Sequence, residues 1–252
     1  MKLGLEGKAL IVTGAASGIG AAIARMLVAE GADSLVLTDR DGPGLARIGA
    51  ELSAASLEAD LTDPAAPARI AESARSRFGR IDGLVNAAGL TTRGSFQDGT
   101  LDTWDPLFAV NARAGFFLMQ AAIADMRQRG AAGAIVNILS MNAHCGIPEL
   151  AIYAGTKGAM ATLTKNAAHA HMADRVRVNG INLGWVATEA ERAMQAARHG
   201  PGWLEVQAAA LPLGRLVTAE ECARLAVFLL SDASVPMSGA VIDLEQKVAG
   251  AI

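Results

Sequence analysis

Short runs of apolar, often β-branched residues alternate along the chain with longer Ala-rich stretches whose apolar positions recur at helical spacing. The runs at 9–13, 34–38, 56–59, 81–86, 134–140, 176–182 and 240–243 read as strands. Helices are predicted near 18–30, 43–52, 65–78, 102–129, 150–173 and 218–231. Strand and helix in turn predict an α/β fold of repeated βα units around a parallel sheet. No linker or composition shift divides the chain, so residues 1–252 are expected to form one domain. The stretch 183–212 departs from the pattern. Its periodicity is weak and it follows a strand's carboxyl end, so it reads as an irregular binding loop or lid.

Composition narrows the classes. The chain has 252 residues, 52% of them hydrophobic, and a net charge of −3. No basic stretch interleaved with aromatics is present, so a nucleic-acid partner is not expected. The first residues lack an apolar core of the signal-peptide kind. No charge-free apolar run approaches the roughly 20 residues of a membrane helix. These observations predict a cytoplasmic protein that does not enter a membrane. Cys145 and Cys222 form neither a disulfide framework nor a zinc spacing. His169 and His171, two apart on a predicted helix, point to different faces, and no metal site is expected.

Thr13-Gly14-Ala15-Ala16-Ser17-Gly18-Ile19-Gly20 joins the first strand to the first helix. Gly14, Gly18 and Gly20 allow a tight turn and close approach to a diphosphate, and Ser17 and Ile19 lie at a helix N-terminus rich in N–H donors. Asp39 ends the second strand, nineteen positions after Gly20. A carboxylate there accepts from a ribose 2′-hydroxyl and repels a 2′-phosphate, which favours NAD over NADP. Arg40 either pairs with that phosphate or stays solvated beside the adenine. Asp60, with Leu61 next to it, either accepts from the adenine amino group or, with Thr62 and Asp63, caps a helix beginning near Pro64. Asn86-Ala87-Ala88-Gly89 ends the fourth strand in small residues that let a backbone pass beside a flat ring.

Proton chemistry is suggested by Tyr153 and Lys157, one turn apart on a predicted helix, thirteen and seventeen residues after Ser140. A nearby cation lowers a phenol's pKa, and a serine hydroxyl can donate to a substrate oxygen. No Gly-x-Ser-x-Gly elbow points instead to a hydrolase.

Taken in order and spacing, the loop 13–20, Asn86-Ala87-Ala88-Gly89, Asn111, Ser140, Tyr153 and Lys157 resemble the classical short-chain dehydrogenase/reductase family over nearly the whole chain. The resemblance implies a Rossmann-type doubly wound sheet of seven parallel strands and a homotetramer or homodimer. It also implies a catalytic tetrad of Asn111, Ser140, Tyr153 and Lys157. In it Tyr153 is the general base, Lys157 lowers its pKa and bonds a nicotinamide ribose, and Asn111 holds a water linking Lys157 to solvent. Asn111 read alone is equally an amide that satisfies a buried backbone group. Trp185, Val186 and Thr188 fall where the family contacts nicotinamide and diphosphate. Two departures stand out. Leu183-Gly184 replaces the family's Pro-Gly, which predicts a less rigid loop, and Asp243-Leu244-Glu245 replaces Asp-Gly-Gly.

Asn142, His144, Trp185 and Trp203 are expected near the mouth of the site, together with Ser140 and Tyr153. Amide, imidazole and indole groups suit a hydroxyl-rich small molecule: a polyol, sugar or sugar acid. For His144 a structural role is equally open, and Trp203 reads as well as a lid or interface anchor. The reading is an NAD-dependent oxidoreductase interconverting a secondary alcohol and a ketone. Its competitors are an NADPH-dependent ketoreductase, supported by Arg40, and a catalytically silent NAD-binding regulator.

Overall fold

In the computed structural model, which describes residues 3–249, seven strands form one sheet. They are β1 Ala9–Thr13, β2 Ser34–Asp39, β3 Ala55–Glu58, β4 Gly83–Asn86, β5 Gly133–Ile138, β6 Val176–Leu183 and β7 Val241–Leu244. All pair in parallel, in the order β3-β2-β1-β4-β5-β6-β7. Chain order reverses between β1 and β4, and the crevice above their carboxyl ends is where open α/β sheets bind ligands.

Alternation along β1 builds both layers. Leu10 and Val12 face α1 (Gly18–Ala29) and α9 (Ala219–Leu230), packing with Ile23, Leu27, Val227 and Leu230. Ile11 faces the other way, toward Ile70 of α3 (Ala66–Phe78), Leu118 of α5 (Gly115–Gln128), and Leu84, Ile135 and Val178 of the sheet. Each such fully buried side chain contributes about 1.5–3 kcal/mol relative to exposure. The remaining helices are α2 (Gly42–Leu52), α4 (Leu101–Phe108), α6 (Ala151–His171), α7 (Glu189–His199) and α8 (Trp203–Ala209).

Three expectations change. The single helix predicted at 102–129 is α4 and α5 joined through a π-helical stretch, Ala109–Ala114, centred on Asn111. This continuous run, Leu101–Gln128, is 28 residues long with a window hydropathy of 1.4, enough by length and composition to span a membrane. It also carries Asp102, Asp105 and Arg113, and 56% of its apolar window is buried in the fold. The stretch 183–212 is not irregular: it contains α7 and α8. Its periodicity is weak because these helices lie on the surface, with Gln195 the buried residue of α7 and Leu204 that of α8. Their legible signal is a cap, Thr188-x-x-Glu191, in which Thr188 Oγ1 accepts from Glu191 N. Finally, α3 begins at Ala66. Asp60 and Asp63 instead close local turns, accepting from Thr62 N and Ala65 N at 2.8 Å each.

The loop after β6, expected to be less rigid without its proline, is held by backbone pairing. Gly184 N donates to Leu244 O, Val217 N to Trp185 O and Ala187 N to Val217 O. Glu245 packs so closely on Gly184 that a Cβ there would lie 2.1 Å from its Oε2. Gln246 in turn bonds Leu213 N and Arg215 O. The divergent tail thus braces the segment whose proline is missing.

Candidate active site

A cleft of about 720 Å³ opens above the β1–β4 switch point. Its floor is the Gly-rich loop. Gly14 has a φ of +67°, and a Cβ there would sit 2.8 Å from the backbone of Ala88. At Gly20 a Cβ would come within 2.1 Å of Gly14 O. Thr13 Oγ1 accepts from Ala87 N and Ala88 N, at 3.0 Å each, tying the loop to the end of β4. Ser17 is the N-cap of α1 but makes no side-chain capping bond. The first N–H groups of that helix are therefore available to an anion.

The wall at the end of β2 is Asp39. Its Oδ2 accepts from Ala16 N and its Oδ1 from Asp41 N, both at 3.0 Å. Two backbone donors thus fix the carboxylate between the Gly-rich loop and α2. Arg40, Asp60, Leu61, Ala87, Gly89 and Thr188 also line the cleft. Sequence reasoning missed Arg25, Arg47, Ala187 and Glu189 on the same walls. Arg25 is held by Glu51 through two hydrogen bonds, leaving Arg40 and Arg47 as the less committed cations on this rim. Two expected cofactor residues point elsewhere. Val186 is buried in the core and bridges to Val217. Asn86 turns its amide into the sheet, donating to Asn137 Oδ1 at 2.8 Å, because β4 and β5 place the two asparagines side by side. A dinucleotide fits this cleft: the glycines leave room where a side chain would clash, and the donors suit a diphosphate.

Beyond the cleft, the ends of β5 and α6 bring Ser140, Tyr153 and Lys157 together. Ser140 Oγ accepts from Asn142 N and Asn142 Nδ2, at 3.2 Å each, which leaves its own proton free to donate. Lys157 is buried; its Nζ donates to Ile138 O at 2.8 Å and lies 5.7 Å from the Tyr153 ring centroid. Burial pushes the ammonium down to about 8. Burial is also the main influence on Tyr153, and it pushes the phenol above its ordinary value. Ser140 pulls it back and the Glu191 carboxylate adds to the rise. The expected lowering of Tyr153 by Lys157 is therefore reversed in the protein alone, because desolvation disfavours the charged form of both groups.

Asn111 joins the cluster through its backbone partners. Its Oδ1 accepts from Leu90 N, and its Nδ2 donates to Leu90 O and Thr156 Oγ1, at 2.8, 2.9 and 3.0 Å. The side-chain amide thus satisfies the backbone of Leu90. A void of about 10 Å³, room for one water, lies among Asn86, Asn111 and Lys157.

On the substrate side two expected donors are already used. Trp185 Nε1 donates to Glu191 Oε1 at 2.6 Å. His144 Nε2 lies 3.0 Å from both oxygens of Asp243, and Asn182 Nδ2 donates to the same carboxylate. His144 thus ties the loop after Ser140 to β7. Trp203 stacks on His199 and meets Trp185 edge to face, closing a small aromatic cover under α7 and α8. Among the described residues, no group of three or more His, Cys, Asp or Glu converges as metal ligands.

A seven-stranded parallel sheet, a nucleotide cleft at its switch point and a Ser–Tyr–Lys cluster beside it have matching relatives. The family model described as enoyl-(acyl carrier protein) reductase matches residues 14–246. The chain belongs to the short-chain dehydrogenase/reductase family. 2-(S)-hydroxypropyl-CoM dehydrogenase 3 of Xanthobacter autotrophicus is 36% identical over 96% of each chain. Gluconate 5-dehydrogenase of Gluconobacter oxydans is 35% identical, covering 94% of this chain and 93% of that one. D-threitol dehydrogenase of Mycolicibacterium smegmatis is 34% identical, covering 95% and 92%. The solved L-sorbose reductase from Gluconobacter frateurii, complexed with NADPH and L-sorbose, superposes with a TM-score of 0.90 at 29% identity over 100% of both chains. This short-chain dehydrogenase/reductase is an NAD(P)-dependent oxidoreductase of CH–OH groups.

Proposed function

We propose that this protein is an NAD-preferring dehydrogenase that oxidises a secondary alcohol on a polyol, sugar or sugar acid to the ketone. Tyr153 removes the hydroxyl proton as general base, and Ser140 donates to the substrate oxygen as charge develops there. Lys157 spends one of its three donors on Ile138 O and has two for a cofactor ribose. A bound oxidised nicotinamide would supply the hydride acceptor and would add a positive charge to the pocket. Such a charge favours the phenolate that burial opposes. The void beside Lys157 suits a water through which the proton reaches solvent. The observation that carries the NAD preference is Asp39, pinned by Ala16 N and Asp41 N so that it cannot swing away from a 2′-phosphate.

Arg40 and Arg47 on the same rim favour the second reading, an NADPH-dependent ketoreductase. A silent NAD-binding regulator has no need of a buried Tyr–Lys pair. The test is kcat/KM with NAD and NADP across neutral polyols, sugars and sugar acids, beside a Tyr153→Phe variant. Tyr153→Phe should lose about 10²–10⁴-fold in turnover, the usual worth of a general base, while its nucleotide affinity by fluorescence titration stays unchanged. Turnover near the wild-type rate in that variant sinks the mechanism, and preference for NADP sinks the assignment to Asp39.

We also propose a cytoplasmic homodimer or homotetramer. Trp104, Phe116 and Phe117, exposed by 45%, 39% and 45% along the Leu101–Gln128 run, support a covered helix face in the assembly.

A further inference from the structure

Glu191 and Gln195 on α7 make a polar pair that neither the tetrad nor the cofactor cleft accounts for. Glu191 Oε1 accepts from Trp185 Nε1 at 2.6 Å and from Gln195 Nε2 at 2.8 Å. These bonds fix the carboxylate against the indole and leave Oε2 for another donor. Gln195 is only 5% exposed, and its Oε1 has no hydrogen-bond partner. Flipping the amide would set that oxygen against the Glu191 carboxylate, so the bond to Glu191 decides its orientation. A buried acceptor without a donor is costly, and a ligand hydroxyl relieves it.

The charge of Glu191 has no cationic partner within ion-pair distance among the described residues. Arg192, its neighbour in sequence, is committed to Glu205 at 3.1 Å. The carboxylate also acts on the reacting group, since it helps push the Tyr153 phenol upward. Its bond to Trp185, two residues past the carboxyl end of β6, places it at the edge of the sheet where open α/β folds bind ligands.

We propose that Glu191 Oε2 and Gln195 Oε1 form an acceptor pair for the hydroxyls of a neutral polyol or sugar, and that Glu191 repels anionic substrates such as aldonates. This deepens the dehydrogenase reading above and rests on it. It removes sugar acids from the substrate class, because a substrate carboxylate would meet a like charge with no cation to offset it.

The test compares threitol and xylitol with gluconate in wild type, Glu191→Gln and Gln195→Leu. Each compound is read twice: by kcat/KM with NAD, and by calorimetric titration into the NADH-loaded protein. Glu191→Gln keeps an oxygen for Trp185 and Gln195 while removing the charge. Wild type should favour the neutral polyols over gluconate by about tenfold or more, the order expected for like charges in a partly desolvated site. Glu191→Gln should erase most of that preference, chiefly by improving gluconate. Gln195→Leu should raise KM for the polyols about fivefold with kcat retained, the mark of lost uniform binding. An unchanged polyol-to-gluconate ratio in Glu191→Gln, or wild-type preference for gluconate, overturns the proposal. Charge-dependent binding without any turnover would refute the dehydrogenase reading and leave the acceptor pair standing. Failure to bind any of the three compounds overturns the pair.

Discussion

Lys157 should cost the fold stability at neutral pH, and the cost should fade as pH rises. Burial lowers its ammonium from 10.5 to about 8. In the unfolded chain the amine keeps its ordinary value, so between about pH 8 and about pH 10.5 the unfolded state binds more protons than the folded one. Stability contributed by this group therefore increases with pH across that window and is lowest below it. The full shift is worth about 3 kcal/mol at roughly 1.4 kcal/mol per unit. Lys157→Met removes the titration while filling similar volume. It also leaves Ile138 O without its donor, a loss that does not depend on pH. The assay is urea denaturation of both proteins at about pH 7 and about pH 9.5, where two-state linkage gives a change of about 2 kcal/mol in their stability difference. Wild type should gain on Lys157→Met by that amount as pH rises. Parallel stability–pH curves, or wild type losing ground, would refute the claim that Lys157 is desolvated in the folded protein.

Two further outcomes are expected. Cys145 is exposed, whereas burial pushes the Cys222 thiol up to about 12; native alkylation read by mass spectrometry should modify Cys145 and spare Cys222 until the chain unfolds. Equal labelling of both would mean that α9 is not packed as described. Light scattering should give the mass of a dimer or tetramer, and changing Phe116 and Phe117 together to polar residues should lower it. A wild-type monomer removes the proposed assembly.

The fold was legible because a doubly wound sheet repeats one local signal. The central strands β1 and β4 are buried at every position, and Gly14 and Gly20 of the 13–20 loop stand where backbone meets backbone. The nearness of Ser140, Tyr153 and Lys157 was legible for a similar reason: spacing along α6 sets Tyr153 one turn from Lys157, and Ser140 follows the end of β5. What the sequence hid are contacts between elements far apart in the chain. Nothing local in His144 announces that Asp243, on β7, takes its ring nitrogen. Nothing in Trp185 announces that Glu191 takes its indole N–H, although Thr188-x-x-Glu191 marked a helix start. The direction of the Tyr153 shift was hidden too, since proximity of a cation can be read from spacing but desolvation cannot.

Desolvation and the missing proline share a consequence for function. With Tyr153 and Lys157 both buried, the protein alone does little to hold a phenolate. In the proposed mechanism the positive charge of a bound cofactor would favour the phenolate, which would couple catalysis to occupancy of the cleft. That coupling needs the nicotinamide side of the cleft held in place. In this chain the loop after β6 is held not by a proline's fixed φ but by Val217, Leu244 and the Glu245–Gln246 tail. The C-terminal departure from the family pattern and the loss of Pro before Gly184 are thus two halves of one structural solution, and the polar pair on α7 is mounted on the segment they brace.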